Sequence, residues 1–124
     1  LCSKKKIDFA VETNVNYSFY KKFRKKVPKN FGLVFDTGNR YLKYKNKYSD
    51  ILKFKREIKH IHLKDRDSNG KNVLLGKGKV NFKKFFKNLR LINFKGYYTL
   101  ETTRDKDAKN SIIHNLNHLK NAVK

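Results

Sequence analysis

Four ionisable residues, Glu12, Asp36, His62 and Glu101, stand at or near the ends of four short apolar runs in this 124-residue chain. They are separated by 24, 26 and 39 residues, each interval long enough for one strand and one helix. The runs cover residues 7–12, 31–36, 58–63 and 97–101, and all are of strand length and rich in β-branched or aromatic side chains. Parallel strands laid side by side, about 4.8 Å apart, would bring the four residues to one rim at the carboxyl ends of the sheet, where ligand sites of α/β folds lie. Three carboxylates sharing one place need a cation among them. A set of oxygen and nitrogen donors suits one divalent ion, Mn²⁺, Mg²⁺, Co²⁺ or Zn²⁺. Polar residues also follow strands simply because loops are wet. Against that, the chain has only three glutamates, Glu12, Glu57 and Glu101, and two of them stand at strand ends.

The segments between the runs have helical periodicity. Residues 17–26 and 48–56 carry apolar side chains three or four apart with lysines between them. In residues 80–92, Val80, Phe82, Phe85, Phe86, Leu89 and Ile92 form one helical face. In residues 109–123, Ile112, Ile113, Leu116, Leu119 and Val123 form another, with Asp105 or Asp107 placed to cap it. A strand followed by a helix, four times over, is an α/β pattern with a parallel sheet. Residues 1–124 are therefore expected to be one domain of four consecutive β/α units.

Composition narrows the function. Lys and Arg number 32 against 10 Asp and Glu, for a net charge of +22. Such a chain will bind polyanions non-specifically, and that binding should collapse above about 0.2 M salt. Its basic residues fall in every segment, and Lys outnumbers Arg, whereas specific recognition draws more on the Arg fork. A basic nucleic-acid-associated protein is thus the alternative to the metal enzyme, and only the enzyme requires the four residues to converge. No apolar run is long enough to cross a membrane or serve as a signal peptide. The single Cys2 allows no internal disulfide. The expected compartment is the cytoplasm. His60 is expected to pack away from His62, and His114 with His118 to form a stripe along a helix.

Three further strings carry a resemblance: FDTGN at residues 35–39, IKHIHLKD at 58–65 and LGKGKVNF at 75–82. With LRLINFKGYYTLE at 89–101, they resemble the sugar phosphate isomerase/epimerase family, the xylose isomerase-like TIM barrels. The resemblance implies a metal site made by Glu12, Asp36, His62 and Glu101, with Glu12 and Glu101 also acting as acid and base. The implied reaction moves a proton on the carbon next to a carbonyl, through an enediolate. Return of the proton to the opposite face gives epimerisation; return to the same face gives isomerisation or no change. The substrate would be a sugar or sugar phosphate, with Asn39, Lys64, Asp65, Arg66 and Arg104 as candidate contacts. Lys77 stands where the family usually has an acidic residue. The zinc-dependent AP endonucleases share the fold, but their pattern would place a histidine at position 39, where this chain has Asn39, and another in the 67–75 stretch, which has none.

A closed (β/α)₈ barrel takes about 250 residues. The chain is accordingly expected to be the C-terminal half of such a barrel and a fragment of a longer product. It would have two unpaired sheet edges prone to self-association.

Overall fold

The computed structural model describes residues 7–103 and 106–124. In chain order the elements are β1 (Phe9–Glu12), α1 (Tyr17–Arg24), β2 (Phe31–Asp36), α2 (Thr37–Tyr44), α3 (Asp50–Phe54), β3 (Ile58–Leu63), β4 (Asp65–Arg66), β5 (Asn72–Val73), α4 (Phe82–Leu91), β6 (Tyr97–Leu100) and α5 (Ala108–Val123). A 3₁₀ turn, Lys55–Glu57, joins α3 to β3. Strands β1, β2, β3 and β6 form one sheet in that order, every pair parallel. This is the expected half barrel, an α/β sheet with successive strands adjacent.

The sheet has two chemically different faces because side chains alternate along a strand. Phe31, Leu33, Phe35, Ile58, Ile61 and Leu63 point to the helices and are buried. The helices bring Tyr20, Ile51, Phe54, Phe85 and Leu89 onto this layer, and aromatic pairs such as Tyr20–Phe54 and Tyr48–Phe85, both 5.5 Å between centroids, set the contacts. The other face holds Glu12, Val34, Asp36, His60, His62 and Thr99, as the strand register requires. A bulge at Lys59 re-phases β3 so that Val34 pairs with His60 while Leu33 pairs with Ile58. Gly32 makes room for that bulge: a Cβ there would lie 2.7 Å from Glu57 O.

Three expectations are corrected. Residues 37–44 form a helix that periodicity did not reveal, and the expected 48–56 helix is cut to α3 and the 3₁₀ turn. His60 lies on the same face as His62, since residues two apart in a strand share a face; their rings meet edge to face at 5.2 Å. Helix α5 is rotated from its apolar stripe. Ser111, Asn115 and Ala122 are buried, while Ile112, Ile113, Leu116 and Val123 are each about half exposed. Hydrogen bonds set this rotation: His114 Nε2 donates to Leu75 O at 3.0 Å, and Leu75 N donates to Asn115 Oδ1 at 2.9 Å. His118 packs on Phe82 at 5.4 Å. His114 and His118, four residues apart along α5, together grip the glycine loop after β5. Asp107 is the cap of α5, accepting from Asn110 N at 3.0 Å; Asp105 lies outside the described residues.

Apolar exposure is concentrated at the two open edges of the sheet. Phe9 and Val11 on β1, Tyr97 and Tyr98 on β6, and the turned-out stripe of α5 account for most of the exposed large apolar side chains among the described residues.

Candidate metal centre

Glu12, Asp36, His62 and Glu101 do converge. Each offers one donor atom, and all four atoms lie within 4.8 Å of one another. His62 Nδ1 is 2.6 Å from Glu101 Oε2 and 3.0 Å from Glu12 Oε2. Asp36 ends β2 and His62 stands one residue before the end of β3, the two middle strands, while Glu12 ends edge strand β1 and Glu101 directly follows edge strand β6. Burial divides them in the same way: Asp36 is 1% exposed, while Glu12 and Glu101 open to solvent.

The three carboxylates share one arrangement. In each, one oxygen is held from outside and the other faces the centre. Asp36 Oδ1 caps α2 and accepts from Asn39 N at 2.6 Å, leaving Oδ2 inward. Glu12 Oε1 accepts from Asn39 Nδ2 at 2.7 Å, leaving Oε2 inward. Glu101 Oε1 accepts from Lys64 Nζ at 2.5 Å, leaving Oε2 inward. Asn39 thus orients two carboxylates at once, and its own Oδ1 accepts from Arg66 at 2.7 Å. Arg66 is fixed in turn by donating to Gly70 O at 3.0 Å.

Electrostatics leave the centre short of positive charge. Burial pushes the Asp36 carboxyl above the usual range, and the Asn39 amide and Lys64 oppose this without overcoming it. The Lys64 hydrogen bond holds Glu101 below its ordinary value, against partial burial. Burial alone would lower the Lys64 ammonium, but Glu101 and Asp36 outweigh it and raise it. Lys64 Nζ sits 3.1 Å from Asp36 Oδ2 as an ion pair, without the alignment of a hydrogen bond. Asp36 Oδ2 and His62 Nδ1 are both buried without an aligned hydrogen-bond partner. Orphaned buried polar side-chain atoms are rare in proteins, and two of the five among the described residues are a carboxylate oxygen and an imidazole nitrogen aimed at one point. That donor set fits a divalent cation.

The weaker candidates separate. Asn39, Lys64 and Arg66 surround the centre: Asn39 and Lys64 hold its carboxylates, and Arg66 holds Asn39 and Gly70 O. Asp65 is fully buried and turned away: Oδ2 accepts from Gly76 N at 2.8 Å and Gly78 N at 3.0 Å, and Oδ1 from Arg66 N at 2.8 Å and Val80 N at 3.0 Å. Arg104, like Cys2, lies outside the described residues. Sequence reading missed His60, whose Nε2 meets Thr99 Oγ1 at 2.7 Å beneath the centre. The period of two along β3 was the signal for it.

The chain belongs to the xylose isomerase-like TIM barrel family, which matches residues 2–122. Among solved structures it is similar to 3-keto-D-glucoside 4-epimerase, YcjR, from E. coli, with TM-score 0.80 and 17% identity over 97% of this chain and 48% of that one. A xylose isomerase domain protein from Planctomyces limnophilus gives TM-score 0.76 and 25% identity over 94% of this chain and 46% of that one. The IOLI protein with a bound zinc atom gives TM-score 0.73 and 18% identity, covering 98% and 51%. The chain therefore spans about half the length of the solved structures it matches. A search of curated proteins finds no match. No helix among the described residues is long and apolar enough to cross a membrane.

Proposed function

We propose that this chain carries the metal-binding half of a sugar or sugar phosphate isomerase/epimerase. The observation that carries the proposal is the centre itself: three carboxylates, each with one oxygen held from outside and the other turned inward beside His62 Nδ1. Glu12, Asp36, His62 and Glu101 would hold one divalent ion, with Mn²⁺, Mg²⁺, Co²⁺ and Zn²⁺ as candidates. When bound, such an ion polarises a carbonyl and its neighbouring hydroxyl, lowering the cost of carbanion character at the carbon between them.

The chain's own groups divide the remaining work. Asp36 and His62, on the middle strands and more enclosed, hold. Glu12, ending one edge strand, and Glu101, directly after the other, are open to solvent and can reach a substrate from two sides. One takes the proton from the carbon next to the carbonyl, and the other, itself protonated, gives a proton to that carbon from the other side, through an enediolate. Asn39 and Lys64 keep the outer oxygens of the two glutamates occupied, so only the inner oxygens are free for proton transfer or for the ion.

The site belongs to one half of a barrel, so its walls must be completed by a complementary four-unit half. The apolar edges of β1 and β6 and the outward stripe of α5 are the surfaces such a half would cover. The AP endonuclease alternative finds no support at position 39, where Asn39 is committed to Glu12 and Arg66.

The test is calorimetry with Mn²⁺ and Zn²⁺ on this chain and on a His62→Ala, Glu101→Ala variant. One ion per chain, lost in the variant, is the expected result and makes a sugar panel the next step. Absence of any divalent-ion binding, or equal binding by both chains, would overturn the proposal.

A further inference from the structure

Lys64 is delivered to the centre under tight structural control. Its side chain is 6% exposed, and Nζ contacts two of the four donor residues, Glu101 and Asp36. Its backbone is latched on both sides by one hydroxyl: Lys64 N donates to Thr37 Oγ1 at 2.9 Å, and Thr37 Oγ1 donates to Lys64 O at 2.7 Å. Gly38 clears the path of its stem, since a Cβ there would lie 2.8 Å from Lys64 Cγ. The run Asp36-Thr37-Gly38 therefore supplies a donor, a latch and a clearance, and the last two serve Lys64. Burying an ammonium is costly unless it is paired, so such a setting marks a group whose charge is used.

We infer that Lys64 is the fixed countercharge of the centre: it neutralises one of the three carboxylates and limits the site to a single divalent ion. Three carboxylates and one ammonium sum to a formal charge of −2, which one divalent ion cancels. Lys64 also occupies Glu101 Oε1, so Glu101 has one oxygen to give to an ion. Lys64 acts as a positioning residue, through Glu101 and Asp36.

The inference rests on the metal reading above, and its test separates the two. Calorimetry with Mn²⁺ and Zn²⁺ would compare the natural chain with Lys64→Met, which keeps the stem and loses the charge, and with Lys64→Arg, which keeps the charge. An ammonium in contact with the donors opposes a cation, so Lys64→Met should bind the first ion about tenfold tighter or more. Lys64→Arg should stay within a few-fold of the natural chain. Thermal unfolding gives a readout independent of affinity: the apo form of Lys64→Met should be less stable, because its carboxylates repel, and should show the larger rise in Tm on adding Mn²⁺. If Lys64 merely props up the site, Lys64→Met binds more weakly or unchanged, which overturns the inference while leaving the metal reading in place. If neither the natural chain nor Lys64→Met binds an ion, both fall.

Discussion

Replacement of Asp65 by asparagine tests how the loop after β5 is held. The Asp65 side chain is fully buried and accepts four backbone N–H groups, two on each oxygen. An amide keeps one accepting oxygen and turns the other position into a donor. Whichever way the new amide is oriented, two N–H groups then face an NH₂ and lose their partner. Hydrogen bonds to a charged group contribute about 1.5–3 kcal/mol each, so two lost bonds cost about 3–6 kcal/mol. Domains are stable by only about 5–15 kcal/mol, so Asp65→Asn should abolish most of the cooperative unfolding transition in urea, followed by circular dichroism. Hydrogen exchange localises the effect. The amides of Gly76 and Gly78 should lose protection if the substituted side chain presents its nitrogen to them, and those of Arg66 and Val80 if it is flipped. Loss of less than about 1 kcal/mol, with all four amides still protected, would refute the claim that the carboxylate organises this loop. Gly78→Ala should reproduce the defect, since its Cβ would sit 2.3 Å from Asp65 Oδ1.

Arg40→Met should cost about 3–5 kcal/mol in the same urea assay, because it leaves Asp50 without a guanidinium that is 3% exposed and 2.8 Å away. Stability should fall as pH drops below the ordinary histidine value of 6.5, since burial lowers His118, with Asp65 opposing and His114 adding, and the unfolded chain then binds more protons than the folded one. His118→Gln should flatten that slope, leaving the part due to His60, which burial and then His62 also lower. Light scattering after size exclusion should find the chain larger than its 14.8 kDa monomer, and Val11→Lys with Leu116→Lys should shift it toward the monomer. An unchanged mass distribution would show that these edges do not drive association.

The four main strands were legible because each is a short run of β-branched or aromatic residues closed by a polar one. Helix α4 was legible for a similar reason: Phe82, Phe85, Phe86 and Leu89 all bury. Helix α2 was hidden. Its sequence, TGNRYLKY, has a glycine at its second position and no regular apolar spacing. What starts it is Asp36, whose capping role was obscured by its role as a candidate ligand. The face of α5 was misread because periodicity counts apolar residues, while His114 and Asn115 dock this helix through polar contacts with Leu75. The donor residues of the centre were readable from strand ends. The support provided by Asn39, Arg66 and Lys64 was not, because it depends on which oxygen each carboxylate turns inward.

The four converging groups lie on, or directly after, four neighbouring strands of one sheet. A recombination event cutting before β1 would transfer the centre as a single cassette. An incoming half could then vary the walls around the centre without touching any of the four groups. On the proposed metal reading, the chemistry of the centre and the walls around it could therefore change separately.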